Sequence, residues 1–193
     1  MTGVGTPVHN VLSFARKRDK GPARRESVDW DAAVASALEC FKPSFAEKGI
    51  ELDFRPGGAG HFLVDADAAG QIVGNLVSNA EKYAASGRLV AVETGTAAKG
   101  PWVRVSDRGP GIPAKERGRI FEPFVRLSDS VSEGASGSGL GLSISRELAR
   151  AHGGDLVLED NPRRGAAADT REGGEGASFL LTFAAERIDG CAS

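Results

Sequence analysis

From Pro7 onward the chain switches between stretches whose apolar residues recur every three or four positions and short apolar runs, and each switch predicts a change of element. Val8, Val11, Leu12 and Ala15 keep a helical spacing closed by Arg16, Lys17 and Arg18, predicting a short helix over 7–18. A charged linker, 19–25, follows with Gly21 and Pro22 as breakers. Ala33, Val34, Ala37, Leu38 and Phe41 then form the stripe of a helix over 29–48, capped by Asp29, stopped by Gly49 and kinked or interrupted by Pro43. Runs at 50–54 and 62–64 predict strands separated by Gly57, Gly58 and Gly60. A helix over 65–84 carries Ile72, Val73, Leu76, Val77 and Ala80 on one side. Strands at 89–93 and 102–105 predict a hairpin, 110–118 is turn-rich, and 127–139 is rich in Ser and Gly. A last helix, 140–151, ends at Gly153 and Gly154, and strands at 155–158 and 178–183 flank a loop rich in Gly, Arg and Ala. Because neighbouring strands form hairpins while helices intervene, the pattern predicts a layered α+β fold rather than a doubly wound parallel sheet.

Composition narrows the class. The chain has 193 residues, 24 basic and 26 acidic, for a net charge of −2, so bulk charge points to neither nucleic acid nor a membrane surface. Apolar residues make up 40%, enough at this length to bury a core. No apolar run is long enough to span a bilayer, and no signal-type segment opens the chain. Cys40 and Cys191 match no metal-ligand spacing and read as free thiols in a reducing cytoplasm. Glycine stands out at 26 residues, about twice the usual share, and an excess of the residue that is costliest to order needs a backbone reason.

Four constellations carry candidate chemistry. Gln71, Asn75 and Asn79 are spaced by four, stacking carboxamides on one helix face with Lys82 and Tyr83 a turn beyond. Amide oxygens are hard, neutral ligands suited to Mg²⁺ that shares its shell with phosphates, although a solvated polar face has the same spacing. Gly137, Gly139 and Gly141, with Leu140 between the last two and Gly134 upstream, stand where a helix begins and can leave its N–H groups open to an anion; flexible linkers share that composition. Asp107 follows a strand, and with Gly109, Gly111 and Ile112 it forms either a tight capped turn or a fixed carboxylate beside a flat ring, accepting from an exocyclic amine. Phe121 and Phe124, with Arg126 beyond, read as plain core or as anchors of a mobile lid.

In this order the elements resemble the ATP-binding domain of two-component sensor histidine kinases, part of the group shared with gyrase, heat-shock chaperone and mismatch-repair ATPases. NLVSNAEKY (75–83) looks like the N box, DRGPGIP (107–113) the first glycine box, IFEPFVR (120–126) the F box and GSGLGL (137–142) the second glycine box. The resemblance implies a two-layer α/β sandwich whose mixed sheet is covered on one face by helices, and a cytoplasmic enzyme using Mg-ATP. It implies that Asn79 ligates Mg²⁺ with Asn75 beside it, that Lys82 meets the phosphates and that Tyr83 packs near the nucleotide. It assigns Asp107 to the adenine amino group, Gly109, Gly111 and Ile112 to the adenine pocket, and Gly137, Gly139, Leu140 and Gly141 to the phosphates under a lid over 127–136. Phe121 and Phe124 would flank that lid, and Arg126 would stabilise γ-phosphate charge.

The sequence also departs from the pattern. Asn75 stands where hydrolase relatives carry an acidic base, favouring transfer to protein over hydrolysis. Glu81 occupies a commonly apolar position and is expected to face solvent with little effect, and the 161–176 loop is longer than usual. Of the three histidines, His61 and His152 read as structural, and His9 lacks the acidic neighbour and downstream proline of a phosphoacceptor. The expectation is a remnant of a dimerisation hairpin at 1–25 and a catalytic domain at 26–193, acting on a histidine outside the chain. The implied partners are the phosphoacceptor hairpin and a response regulator, with no nucleic acid and no direct membrane contact. The alternatives are an anti-sigma-type serine kinase, against which the F box argues, and a nucleotide-binding module without turnover.

Overall fold

A computed structural model describes residues 24–83, 88–126, 139–160 and 176–188. The helix expected over 7–18, most of the linker after it, Gly134 and Gly137, and nearly all of the two expected loops at 127–136 and 161–176 lie outside the described residues. The order of elements is β1 (Glu26–Asp29), α1 (Trp30–Glu39), α2 (Lys42–Lys48), β2 (Glu51–Arg55), β3 (His61–Val64), α3 (Ala66–Tyr83), β4 (Leu89–Ala97), β5 (Gly100–Asp107), α4 (Gly141–Ala151), β6 (Asp155–Glu159), β7 (Ser178–Thr182) and β8 (Arg187–Ile188).

Local chemistry explains most boundaries. Asp29 caps α1 by accepting from the Ala32 N–H at 3.0 Å, and Asp65 starts α3 the same way through Ala68 at 2.9 Å, bonds each worth about 1 kcal/mol. Pro43 splits the helix expected over 29–48: α1 ends at Glu39, and the proline sits in the first turn of α2, where its missing N–H is harmless.

A five-stranded mixed sheet has the order β2-β4-β5-β7-β6, with β2 parallel to β4 and the other pairs antiparallel. Its register lines up Val92, Val105, Phe179 and Leu158 on one face, against Val34 and Leu38 of α1, Ile72, Val73, Leu76 and Val77 of α3, and Ala149 of α4. Each large apolar side chain buried there contributes about 1.5 to 3 kcal/mol. The other face is charged, with Arg104 reaching Glu159 at 2.7 Å and Glu93 at 3.4 Å. The helix-covered mixed sheet is the expected two-layer α+β sandwich.

Three details differ from expectation. The expected strands at 50–54 and 62–64 enter different sheets: β2 joins the large sheet, while β3 joins β1 and β8 in a second, three-stranded antiparallel sheet that the pattern did not indicate. Between them the chain passes so close to α1 that a Cβ on Gly58 would stand 2.6 Å from the Trp30 ring. The hairpin of β4 and β5 is longer than the apolar run suggests, extending to Ala97 and starting at Gly100. Strand β1, mostly exposed and with Val28 as its one aliphatic residue, has no periodic signal and forms by pairing with β3.

Candidate functional site

Helices α3 and α4 lie side by side in opposite directions. At one end His152 directs Nε2 to within 3.5 Å of Asp65 Oδ2, while its Nδ1–H donates to the Leu148 carbonyl at 3.0 Å. Midway, Asn75 Nδ2 donates to Ser145 Oγ at 3.0 Å. Continuing one turn from that bond in each helix, about 6 Å of rise, brings Asn79 level with Gly141. Asn79, the last of the carboxamide row, and Gly141 at the helix start, 62 positions apart by number, thus share one end of the helix pair.

At that end Asn79 and Lys82 are half-buried, and no hydrogen bond of the Asn79 carboxamide appears among the described residues. Tyr83 closes α3, and its side chain lies outside the described residues. Leu140 is buried and occupies the N-cap of α4, where no side chain caps the helix and no acidic residue sits in the first turn. Those N–H groups keep their positive field for an anion. A Cβ on Gly141 would meet nothing within 4 Å, so no described protein group requires a glycine there. Gly139 does have a protein reason: its φ is +69°, and a Cβ would stand 2.9 Å from the Phe124 backbone.

Asp107 ends β5 and is buried, with a relative exposure of 8%. Its Oδ1 accepts from the Gly109 N–H at 2.8 Å and the Ala177 N–H at 3.2 Å. Burial pushes the carboxyl above its ordinary pKa, and the two N–H bonds oppose that rise. Gly109, also buried, accepts from the Gly176 N–H at 3.0 Å, so the turn after β5 is latched to the chain entering β7. Gly111 adopts φ +76°, and Ile112 packs partly buried against the core.

The two phenylalanines part ways. Phe121 packs edge-on against Phe179 at 6.3 Å with the Arg146 guanidinium 4.6 Å over its ring, and it lines a cleft of about 520 Å³ along β6. Phe124 is 74% exposed, with φ +65° and its N–H donating to the Gly139 carbonyl at 3.0 Å. A left-handed conformation at an exposed aromatic residue is uncommon. Arg126 is exposed at the end of that segment, and Gly137 lies outside the described residues.

The model of one protein family, described as histidine kinase-, DNA gyrase B-, and HSP90-like ATPase, matches residues 64–187. The chain belongs to this family. Within it, this ATPase domain is of the sensor histidine kinase kind. It is 44% identical over 98 residues to the adaptive-response sensory kinase SasA of Synechococcus sp. (strain CC9311), covering 50% of this chain and 25% of that protein. It is 42% identical over 170 residues to the signal transduction histidine-protein kinase/phosphatase MprB of Mycolicibacterium vanbaalenii, covering 86% and 34%. The structure of full-length ShkA in complex with AMPPNP superposes with a TM-score of 0.73 at 29% identity, over 94% of this chain and 36% of that one. The ATPase domain thus spans about a quarter to a third of these curated relatives. Among the described residues no helix is long and apolar enough to cross a membrane.

Two contacts escaped the sequence reading. Ser145 is fully buried and reaches Asn75, although its position among helical apolar residues gave no polar signal. Glu81 does not face solvent idly: it accepts from Ser44 Oγ and from Lys48 Nζ at 2.9 Å, tying α3 of the ATPase domain to α2. Burial would raise its pKa, but those bonds and the charges of Lys48 and Lys82 outweigh it and hold the carboxyl below its ordinary value. Ser44 and Lys48 both lie on α2, so the pairing is a long-range contact that no local period encodes.

Proposed function

We propose that residues 26–193 are a catalytic domain that binds Mg-ATP and donates its γ-phosphoryl group to a histidine of a helical hairpin, of which residues 1–25 are a remnant. The observation that carries this reading is the antiparallel pairing of α3 and α4, which sets the carboxamides beside an uncapped, glycine-bearing helix start. The donor chemistry fits the metal. Carboxamide oxygens are hard, neutral donors, and they suit an ion such as Mg²⁺ that takes phosphate oxygens and waters as its remaining ligands. A bound Mg²⁺ would supply neutralisation of phosphate charge.

In this reading Asn79 is the metal ligand with Asn75 beside it, and Lys82 and the N–H groups at Gly139, Leu140 and Gly141, with Gly137, hold the phosphates. Asp107 accepts from the adenine amino group, Gly109, Gly111, Ile112 and Tyr83 shape the base pocket, and Arg126 faces the γ-phosphate. Exposed Phe124, with Phe121 behind it, flanks the phosphate end. The residues position and neutralise, which is most of what phosphoryl transfer requires. The bond from γ-phosphorus to the bridging oxygen breaks as a histidine nitrogen bonds to phosphorus, leaving ADP. A response regulator is the next acceptor, and the cytoplasm the compartment.

The test is to incubate the chain with γ-labelled ATP and a separate dimeric hairpin bearing the acceptor histidine. Acid-labile, base-stable label on the hairpin is expected, and Asn79→Ala should abolish it. Tight ATP binding without any transfer would sink the kinase reading and leave a binding module.

A further inference from the structure

We propose that Ser145 is a positioning residue for Asn75, holding its side chain in one rotamer beside the place where metal and phosphates would bind; this rests on the reading given under Proposed function. Ser145 is fully buried in α4, among Ala149 and the core of α3, where a hydroxyl without a partner would cost stability. Its partner is Asn75 Nδ2 at 3.0 Å, on the other helix and 70 residues away. Ser143, two residues earlier and also buried, shows the contrast: its hydroxyl donates to Leu140 within the same helix, a local bond that holds nothing on α3.

A carboxamide and a hydroxyl can each donate and accept, so the pair bonds whichever end of the amide meets Ser145. On a helix face left to itself, the Asn75 side chain would turn among several rotamers. The bond to Ser145 holds it in one, against α4 and one turn from Asn79, the metal ligand in this reading. Ser145 therefore acts through Asn75, as outer groups that orient metal ligands do. The same bond links α3 to the helix whose first turn carries Gly141, so the two halves of the phosphate end keep one register.

The test is a double-mutant cycle on the whole chain with Ser145→Ala, Asn75→Ala and the pair, measuring binding of a non-hydrolysable ATP analogue by calorimetry in Mg²⁺ and in chelator, with thermal melts alongside. Loss of the orienting bond should weaken the Mg²⁺-dependent part of binding about tenfold in Ser145→Ala, the lower end for such outer groups. Binding in chelator should change less than twofold, on the order of measurement scatter. In the Asn75→Ala background the Ser145 substitution should add almost nothing. Equal loss with and without Mg²⁺, or an undiminished Ser145 effect in the Asn75→Ala background, overturns the proposal and leaves the kinase reading intact. If the unmutated chain binds nucleotide with no Mg²⁺ dependence, both fall. Should Ser145→Ala melt too early to assay, Ser145→Cys, similar in shape though slightly larger and a much weaker hydrogen-bonding partner, is read by the same criteria.

Discussion

Asp107 and Asp155 are both carboxylates at the ends of strands in the same sheet, and their surroundings are opposite. Asp155 opens β6 and is gripped by Arg146 at 2.9 Å and Arg150 at 3.1 Å, with the Leu156 N–H at 2.8 Å; chiefly through the Arg146 bond, its pKa falls to about 2. Asp107 closes β5, is buried, receives two backbone N–H bonds and has its pKa raised. A carboxylate matched by cations serves the fold, whereas one buried among backbone donors is held at a cost that a ligand can offset.

Substitution should separate the two. In Asp107→Asn the Oδ1 atom can keep its N–H donors while an amide nitrogen replaces the other oxygen. ATP binding should then weaken by about 2 kcal/mol, the loss of a hydrogen bond to a charged acceptor, or roughly thirtyfold in Kd by calorimetry, with the melting temperature held or raised. Glu81→Ala lies between, near the phosphate end but paired like Asp155: about 1 to 2 kcal/mol of stability should be lost in urea melts. Asp155→Asn should cost about 1 kcal/mol near neutral pH, once solvent screening of its partly exposed partners is allowed for, and leave nucleotide affinity unchanged.

The subtlest difference is the sign of the pH dependence. Because the Asp155 pKa is depressed below its unfolded value of 3.8, its stabilisation is fully present above that value and fades as pH falls toward 2. The raised Asp107 pKa works the other way, so its ionised form lowers stability at neutral pH and the penalty is relieved on acidification. Urea melts of the unmutated chain against each Asn variant should show its relative stability rising with acid for Asp107 and, below pH 4, falling for Asp155. Slopes of the same sign would break the comparison.

What could be read from the residues follows from range. The stripe of Ile72, Val73, Leu76 and Val77 carries its helix with it, as Asp29 and Asp65 carry their caps, because those signals lie within one or two turns. The boxes were legible because they combine unusual residues at fixed spacing. Strand β1 was invisible because its stability comes from pairing with β3, not from its own side chains, and the parallel pairing of β2 with β4 needs the crossover through β3 and α3 between them. Glu81 looked like a surface charge because Ser44 and Lys48 stand 37 and 33 residues away. Ser145 looked like a weak core residue for the same reason.

The bond from Asn75 to Ser145 and the bond from Ala177 to Asp107 each close a span of 70 residues, and neither has a local substitute. Among the described residues no single helix or hairpin, folded alone, brings the α3 carboxamides together with the α4 start and Asp107. Closing such spans delays them in folding relative to hairpins and helices, so the site is complete only in molecules whose sheet is complete. Nucleotide affinity is therefore a census of fully folded chains, and nucleotide, by binding only those, draws the folding equilibrium toward them.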